Sequence, residues 1–176
     1  KYQQQHYPQS KAFNDKVHGQ WKHRSIDEFL DKANVVSTAL LNLGFLRGDK
    51  VAVISNNRSE WNAYDIGMQQ IGVANVPIYP TSSASDYEYI MNNAKVKMVI
   101  VSDEELLSKV KQVAENIPTL EWIYSFNEIT GCANVHELES ICTEIDLNRI
   151  ESISNEVTEN DLATLIYTSG TTGKPK

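Results

Sequence analysis

Cysteine is scarce. The 176 residues hold two, Cys132 and Cys142, whose spacing matches neither a zinc motif nor a redox pair. A disulfide framework is therefore not what holds this fold, and two reduced thiols in a cytoplasmic protein are the expectation. Long apolar runs are missing too. The longest candidates, Met98 to Val101 and Thr38 to Leu43, have the size of core elements, far short of the roughly 18 residues a membrane span needs. Lys1 to Ser10 are polar, without the apolar stretch of a signal peptide, and carry no initiator methionine, which suggests a trimmed chain. Positive charge is also in deficit: 16 Lys and Arg face 23 Asp and Glu, a net charge of −7. A nucleic-acid reader needs a basic face for its phosphate partners, so that class is excluded. His6, His18, His23 and His136 are scattered without ligand spacing, and surface or structural roles are expected for them.

The composition does allow a soluble domain or subdomain, with 41% apolar residues and length enough to bury a sizeable core. The chain opens with a polar segment to about Arg24. Ser25 and Glu28 then form an S-x-x-E capping box ahead of Ile26, Phe29, Leu30, Ala33, Val36 and Leu40, which recur at helical spacing up to Gly44. This predicts a helix over 25–43. Val51 to Ser55 reads as a buried strand. Ser59 is placed to cap a second helix to about Gln70, with Gly72 beyond it, and Val73 to Tyr79 is the next strand, with Pro77 and Pro80 at its end. A helix from Ser85 or Asp86 through Asn93, a strand Val96 to Val101, a helix Asp103 to Asn116 and a strand Glu121 to Phe126 continue the alternation. A weaker helix from Val135 to about Ile145, a polar connection through Thr158 and a last strand, Leu162 to Tyr167, complete it. Strand alternating with helix predicts an α/β fold with a largely parallel sheet and helices on both faces, a fold that takes ligands beyond the carboxyl ends of its strands.

The last strand leads into Tyr167-Thr168-Ser169-Gly170-Thr171-Thr172-Gly173-Lys174-Pro175-Lys176. Gly170 and Gly173 let the backbone open toward a ligand and present N–H groups to an anion. Thr168, Ser169, Thr171 and Thr172 supply hydroxyls for phosphate oxygens or a Mg2+ ion, and Lys174 and Lys176 offset phosphate charge. The plain alternative is a hydrophilic loop, since Ser, Thr, Gly and Pro are loop residues. A P-loop is excluded: Gly170 and Gly173 are separated by two residues rather than four, and Pro175 follows Lys174.

This ten-residue run resembles the signature loop of the adenylate-forming (AMP-binding) superfamily, which includes acyl-CoA synthetases, peptide-synthetase adenylation domains and luciferases. Gly48-Asp49-Lys50-Val51-Ala52 is similar to the superfamily's G-D-x-V-A segment. Asn57-Arg58-Ser59-Glu60-Trp61 and Val76-Pro77-Ile78-Tyr79-Pro80-Thr81 resemble N-R-P-E-W and V-P-I-Y-P-T of the long-chain fatty acyl-CoA synthetase branch, with Ser59 departing from the usual proline. The likeness runs from about Trp21 to Lys176 and is least informative over 119–158. Core packing is the plainer role for Trp61, Tyr64 and Ile78, and a local ion pair for Arg58 and Glu60. Lys95, Lys97, Glu104 and Glu105 read as solvated faces.

The resemblance implies a long-chain-fatty-acid–CoA ligase with ATP, Mg2+ and coenzyme A as cofactor and co-substrates. A fatty carboxylate is adenylated by ATP and then transferred to the coenzyme A thiol. It implies ATP-phosphate binding by Thr168, Ser169, Gly170, Thr171, Thr172, Gly173 and Lys176, and assigns no catalytic residue here. It further implies that residues 1–176 are an N-terminal AMP-binding fragment ending inside the phosphate loop. The adenine, ribose, fatty-acid and lid segments would then lie downstream, and the fragment alone would be inactive. A homodimer and peripheral membrane association stay open. The competing reading is a non-catalytic nucleotide-binding or assembly module.

Overall fold

The parallel ladder is built from short runs of β-branched and apolar residues that are buried on both sides. In the computed structural model, which describes residues 2–17 and 19–168, β3 (Lys50–Ile54), β4 (Ala74–Pro77), β5 (Met98–Val101), β6 (Trp122–Ser125) and β7 (Ala133–Asn134) form one sheet in the order β4-β3-β5-β6-β7, every pair parallel. Strand alternation sorts the side chains into two cores. Val51, Val53, Met98 and Ile100 pack against α2 (Ile26–Asn42) and α3 (Ser59–Gln70), while Ala52, Ile54, Val99 and Val101 pack against α4 (Ala84–Ala94) and α5 (Glu104–Lys111). The sheet is thus doubly wound, as the alternation of elements predicts. The crossovers through α3 and α4 leave β3 and β4 toward opposite faces.

Local chemistry explains the helix starts. Ser25 Oγ accepts from the Glu28 N–H at 3.1 Å and Glu28 Oε2 accepts from the Ser25 N–H at 2.7 Å, the expected capping box. Two expected starts and one expected end shift. The fourth helix begins at Ala84, capped by Ser83, because Asp86 serves as the third residue of a second capping box rather than as the cap. Helix α3 has Arg58, not Ser59, at its N-cap, with no side-chain cap of its own; Asp15 Oδ1 accepts the Ser59 N–H at 3.0 Å instead. The helix expected through Asn116 ends at Lys111 and resumes as a 3-10 turn, Ala114–Asn116. Tyr64 and Ile78 are buried and Trp61 packs against the first core, as expected. Lys97 is not a solvated face: it is half-buried, and its Nζ pairs with Asp49 Oδ2 at 2.7 Å.

Three other expectations need correction. The polar opening is structured, with α1 (Tyr2–His6) and an antiparallel hairpin of β1 (Phe13–Val17) and β2 (Gln20–Arg24). The helix after β7, α6 (Val135–Ser140), is shorter than expected, and the connection behind it contains α7 (Leu147–Glu156), which buries Ile150. The strand expected over 162–167 is a single parallel bridge, Thr164 to Asn75, because only Asn75 of β4 offers it paired backbone groups. Both cysteines are free. Among the described residues no helix is long and apolar enough to cross a membrane, and no group of three or more His, Cys, Asp or Glu could hold a metal ion.

Candidate functional site

The residues before the glycine-rich motif sit on the free edge of β4. Asn75 donates its N–H to the Ala163 carbonyl at 3.1 Å, and its own carbonyl accepts from the Leu165 N–H at 2.9 Å and from Thr164 Oγ1 at 3.0 Å. Because the pairing is parallel, residues 164–168 run in the direction of β4 and leave at the carboxyl edge of the sheet. That is the edge at which such sheets bind ligands. Leu165 and Tyr167 pack on the second core, and Leu162 and Ile166 face outward. Of the motif residues, Thr168 is exposed and is the last one described. Ser169, Gly170, Thr171, Thr172, Gly173 and Lys176 lie outside the described residues.

Side chains distant in sequence hold this segment. Arg47, between α2 and β3, donates from Nε and Nη2 to the two Asp161 oxygens at 2.7 and 2.5 Å. The Asp161 carboxyl also accepts the Thr158 N–H at 2.6 Å. These hydrogen bonds, Arg47's first, hold its pKa below the ordinary value. At the other end, Tyr167 donates from its hydroxyl to Asn93 Oδ1 at 2.5 Å. Nothing in the sequence pattern points to Arg47, Asn75 or Asn93 as partners of this strand. They are brought there by the topology, 114, 89 and 74 positions away from their partners.

The gap between the ends of β3 and β5 is closed from within. Asn56 donates its N–H to Ser102 Oγ at 3.2 Å and its Nδ2 to Asp103 Oδ2 at 3.2 Å. Beside it, between β1 and the start of α3, opens a polar cleft of about 800 Å³ lined by Lys16, Asn56, Asn57, Arg58 and Trp61 among others. Among the described residues, none of 162–168 lines this cleft. Arg58 of its wall belongs to an ion-pair network: Glu60 bonds Arg58 at 3.0 Å and Arg24 at 3.1 Å, and the Arg58 guanidinium lies 4.5 Å over the Phe126 ring. The expected pairing of Arg58 with Glu60 is present. It fixes the helix start and leaves both groups neutralised.

Burial alone would raise the Glu60 pKa, but the hydrogen bonds and charges of Arg58 and then Arg24 outweigh it and bring it from 4.5 down to about 2. The stability this carboxylate contributes is therefore fully present above pH 4.5 and lost as pH falls through about 2. At most it is on the order of 3 kcal/mol. Thermal melts of the wild type and Glu60→Gln should differ most above pH 4.5 and converge by about pH 2; a gap that stays constant over that window would contradict the assignment.

Comparison with known proteins places these features in a family. The chain matches the model described as AMP-binding enzyme over residues 1–176. A long-chain-fatty-acid–CoA ligase of Xenopus laevis is 28% identical over 170 residues, covering 94% of this chain and 23% of that protein. A second, from Mycobacterium bovis, is 27% identical, covering 91% of this chain and 26% of its relative. The chain thus spans about a quarter of the length of the curated relatives it matches. Among solved structures, an anthranilate CoA ligase in complex with anthranoyl-AMP superposes with a TM-score of 0.73 at 25% identity over 88% of this chain and 28% of that one. A red-emitting luciferase of Phrixothrix hirtus, at 16% identity, shares the fold with a TM-score of 0.74, covering 95% of this chain and 32% of its own. With its full length inside one family's pattern and its parallel sheet shared with these structures, the chain belongs to the AMP-binding enzymes.

Proposed function

We propose that this chain is the N-terminal part of an ATP-dependent long-chain-fatty-acid–CoA ligase of the cytoplasm. The observation that carries the reading is the course of the segment leading into the motif. A strand bridged in parallel to β4 brings Thr168, the first hydroxyl of T-S-G-T-T-G-K-P-K, out at the carboxyl edge of a doubly wound sheet. The long-chain acid rests on the N-R-S-E-W and V-P-I-Y-P-T segments and on the long-chain ligases among the relatives.

The chemistry follows from the nature of the substrates. A carboxylate is a poor acyl donor, since its leaving group would be an oxide. Attack of the carboxylate oxygen on the α-phosphorus of ATP forms an acyl–O–phosphorus bond and breaks the bond to the β-phosphate oxygen, which leaves with pyrophosphate. The coenzyme A thiol then attacks the acyl carbon, loses its proton, and expels AMP. The share of residues 168–176 is electrostatic. Hydroxyls, backbone N–H groups and lysine hold the β- and γ-phosphates, on which negative charge grows as pyrophosphate departs. The donor set is hydroxyl and ammonium, with no carboxylate in the motif. It therefore fits phosphate oxygens directly, and Mg2+ would join as the counter-ion of those oxygens, lowering the charge of the leaving group.

The test is ATP–pyrophosphate exchange by the complete gene product with acids from acetate to oleate, together with aryl and amino acids. Exchange confined to long chains is the expected result. Exchange with another class overturns the substrate, and nucleotide binding without exchange favours a non-catalytic module.

A further inference from the structure

We propose that Arg47–Asp161 and Tyr167–Asn93 form a register lock that fixes where the motif begins, an inference resting on the ligase reading for its catalytic consequence but not for its existence. Residues 162–167 meet the sheet through the paired backbone groups of one residue, Asn75. A strand so thinly paired has a weakly specified register. A slip of one residue is opposed by packing, since it would turn Leu165 and Tyr167 away from the second core and bring Leu162 and Ile166 inward. A slip of two residues keeps that alternation, and the apolar pattern cannot oppose it. What distinguishes the two registers is polar: the Thr164 hydroxyl on the Asn75 carbonyl, and a pair of tethers at the ends of the segment.

A two-residue slip displaces the strand by about 6–7 Å. The Arg47 guanidinium, 2.7 and 2.5 Å from the Asp161 oxygens, would lose both bonds, and the Tyr167 hydroxyl would lose Asn93. Arg47 is itself held in place. A Cβ on Gly72 would stand 2.8 Å from Arg47 Cγ, so the arginine stem lies directly on that glycine, whose φ is +69°. The Gly72 carbonyl also accepts the Gly48 N–H at 2.8 Å. The turn 158–161 is closed onto the same carboxylate, since Asp161 Oδ2 accepts from the Thr158 N–H at 2.6 Å and from Thr158 Oγ1 at 3.1 Å. The tethers therefore sit on either side of the Asn75 bridge and set the position of Thr168. Arg47 and Tyr167 are positioning residues: they act on the motif through the strand.

Amide hydrogen exchange on this chain tests the lock. Arg47→Ala should speed exchange at the Leu165 N–H by about five- to tenfold while leaving Val99 and Ile100 of β5 unchanged, because the loosening is local. Arg47→Lys should recover only part of the protection, since lysine cannot form the two-pronged pair. Tyr167→Phe should loosen Leu165 in the same direction. Unchanged exchange at Leu165 in both Arg47→Ala and Tyr167→Phe, or loosening spread evenly through β5, overturns the lock. In the complete gene product, Arg47→Ala should raise the KM for ATP about fivefold with Arg47→Lys intermediate; an unmoved KM alongside faster Leu165 exchange would confine the lock to structure and overturn its catalytic role. An inactive wild type would instead remove the ligase reading, and the exchange result at Leu165 would still decide the lock.

Discussion

Replacing Thr171 and Thr172 together by alanine in the complete gene product is expected to lower fatty-acid-dependent pyrophosphate exchange by about 10²–10³-fold. Under the proposed function each hydroxyl would donate to a charged phosphate oxygen, an interaction worth roughly 1.5–3 kcal/mol, and loss of one donor to a developing anion costs enzymes about 10²-fold or more. The two threonines stand three and four positions beyond Thr168 in the motif, so the expectation follows from the motif's chemistry and from where its strand leaves the sheet. The defect should fall on adenylation. Thioester formation from a supplied acyl-adenylate should be nearly normal, because that step no longer involves the β- and γ-phosphates. Equal losses in the two half-reactions would contradict a phosphate-holding role.

The second large effect concerns the scaffold. Gly67→Ala should lower the melting temperature of the chain by about 4–8 °C, which for a protein of this size corresponds to about 2 kcal/mol. In a helix, alanine is favoured over glycine by up to about 1 kcal/mol, so propensity alone predicts stabilisation. Geometry decides otherwise. A Cβ at Gly67 would stand 2.7 Å from the Ala33 carbonyl oxygen and 2.9 Å from Val36 Cβ, and both of those residues are fully buried. The first of these atoms is backbone, so α2 and α3 must separate, and the cost of overpacking exceeds the propensity gain. The same separation would stretch the 2.7 Å bond from Ser37 Oγ to the Gly67 carbonyl. A melting temperature equal to or above the wild type's would show that the two helices yield more easily than their packing implies.

Much of this architecture is legible in the sequence, for reasons that can be named. The Ser25–Glu28 box and the apolar spacing behind it are local signals, and they produce the helix they predict. The buried strands around Val51 and Val99 read as continuous apolar runs because helices cover both of their faces. Other elements carry no such signal. The hairpin Phe13–Arg24 is mostly exposed, so its residues alternate between polar types and resemble a loop. Helix α7 buries Ile150 alone, too little to stand out as a periodicity. The N-cap of α3 could not be read locally, since its acceptor is Asp15, 44 residues upstream.

The candidate site divides in the same way. The motif is contiguous, so its residue types are visible in ten positions, and the sheet edge toward which residues 164–168 lead follows from the alternation of elements. The groups that hold its strand are visible only in three dimensions. Arg47 belongs to a turn that looks like any other Arg-Gly-Asp, and its partner carboxylate lies 114 positions away. The alternation of 162–167 foretells which side chains face inward. Whether a ladder forms depends on what a neighbouring strand offers, and here β4 offers one residue.

The most direct test of the central claim is isotopic. The complete gene product would be supplied with ATP, coenzyme A and a long-chain acid carrying ¹⁸O in both carboxylate oxygens, and the nucleotide and phosphate products examined by mass spectrometry. Carboxylate attack at the α-phosphorus followed by thiolysis leaves one labelled oxygen in AMP and none in pyrophosphate, the result this account predicts. Label in inorganic phosphate with formation of ADP would mean attack at the γ-phosphate, and would contradict it.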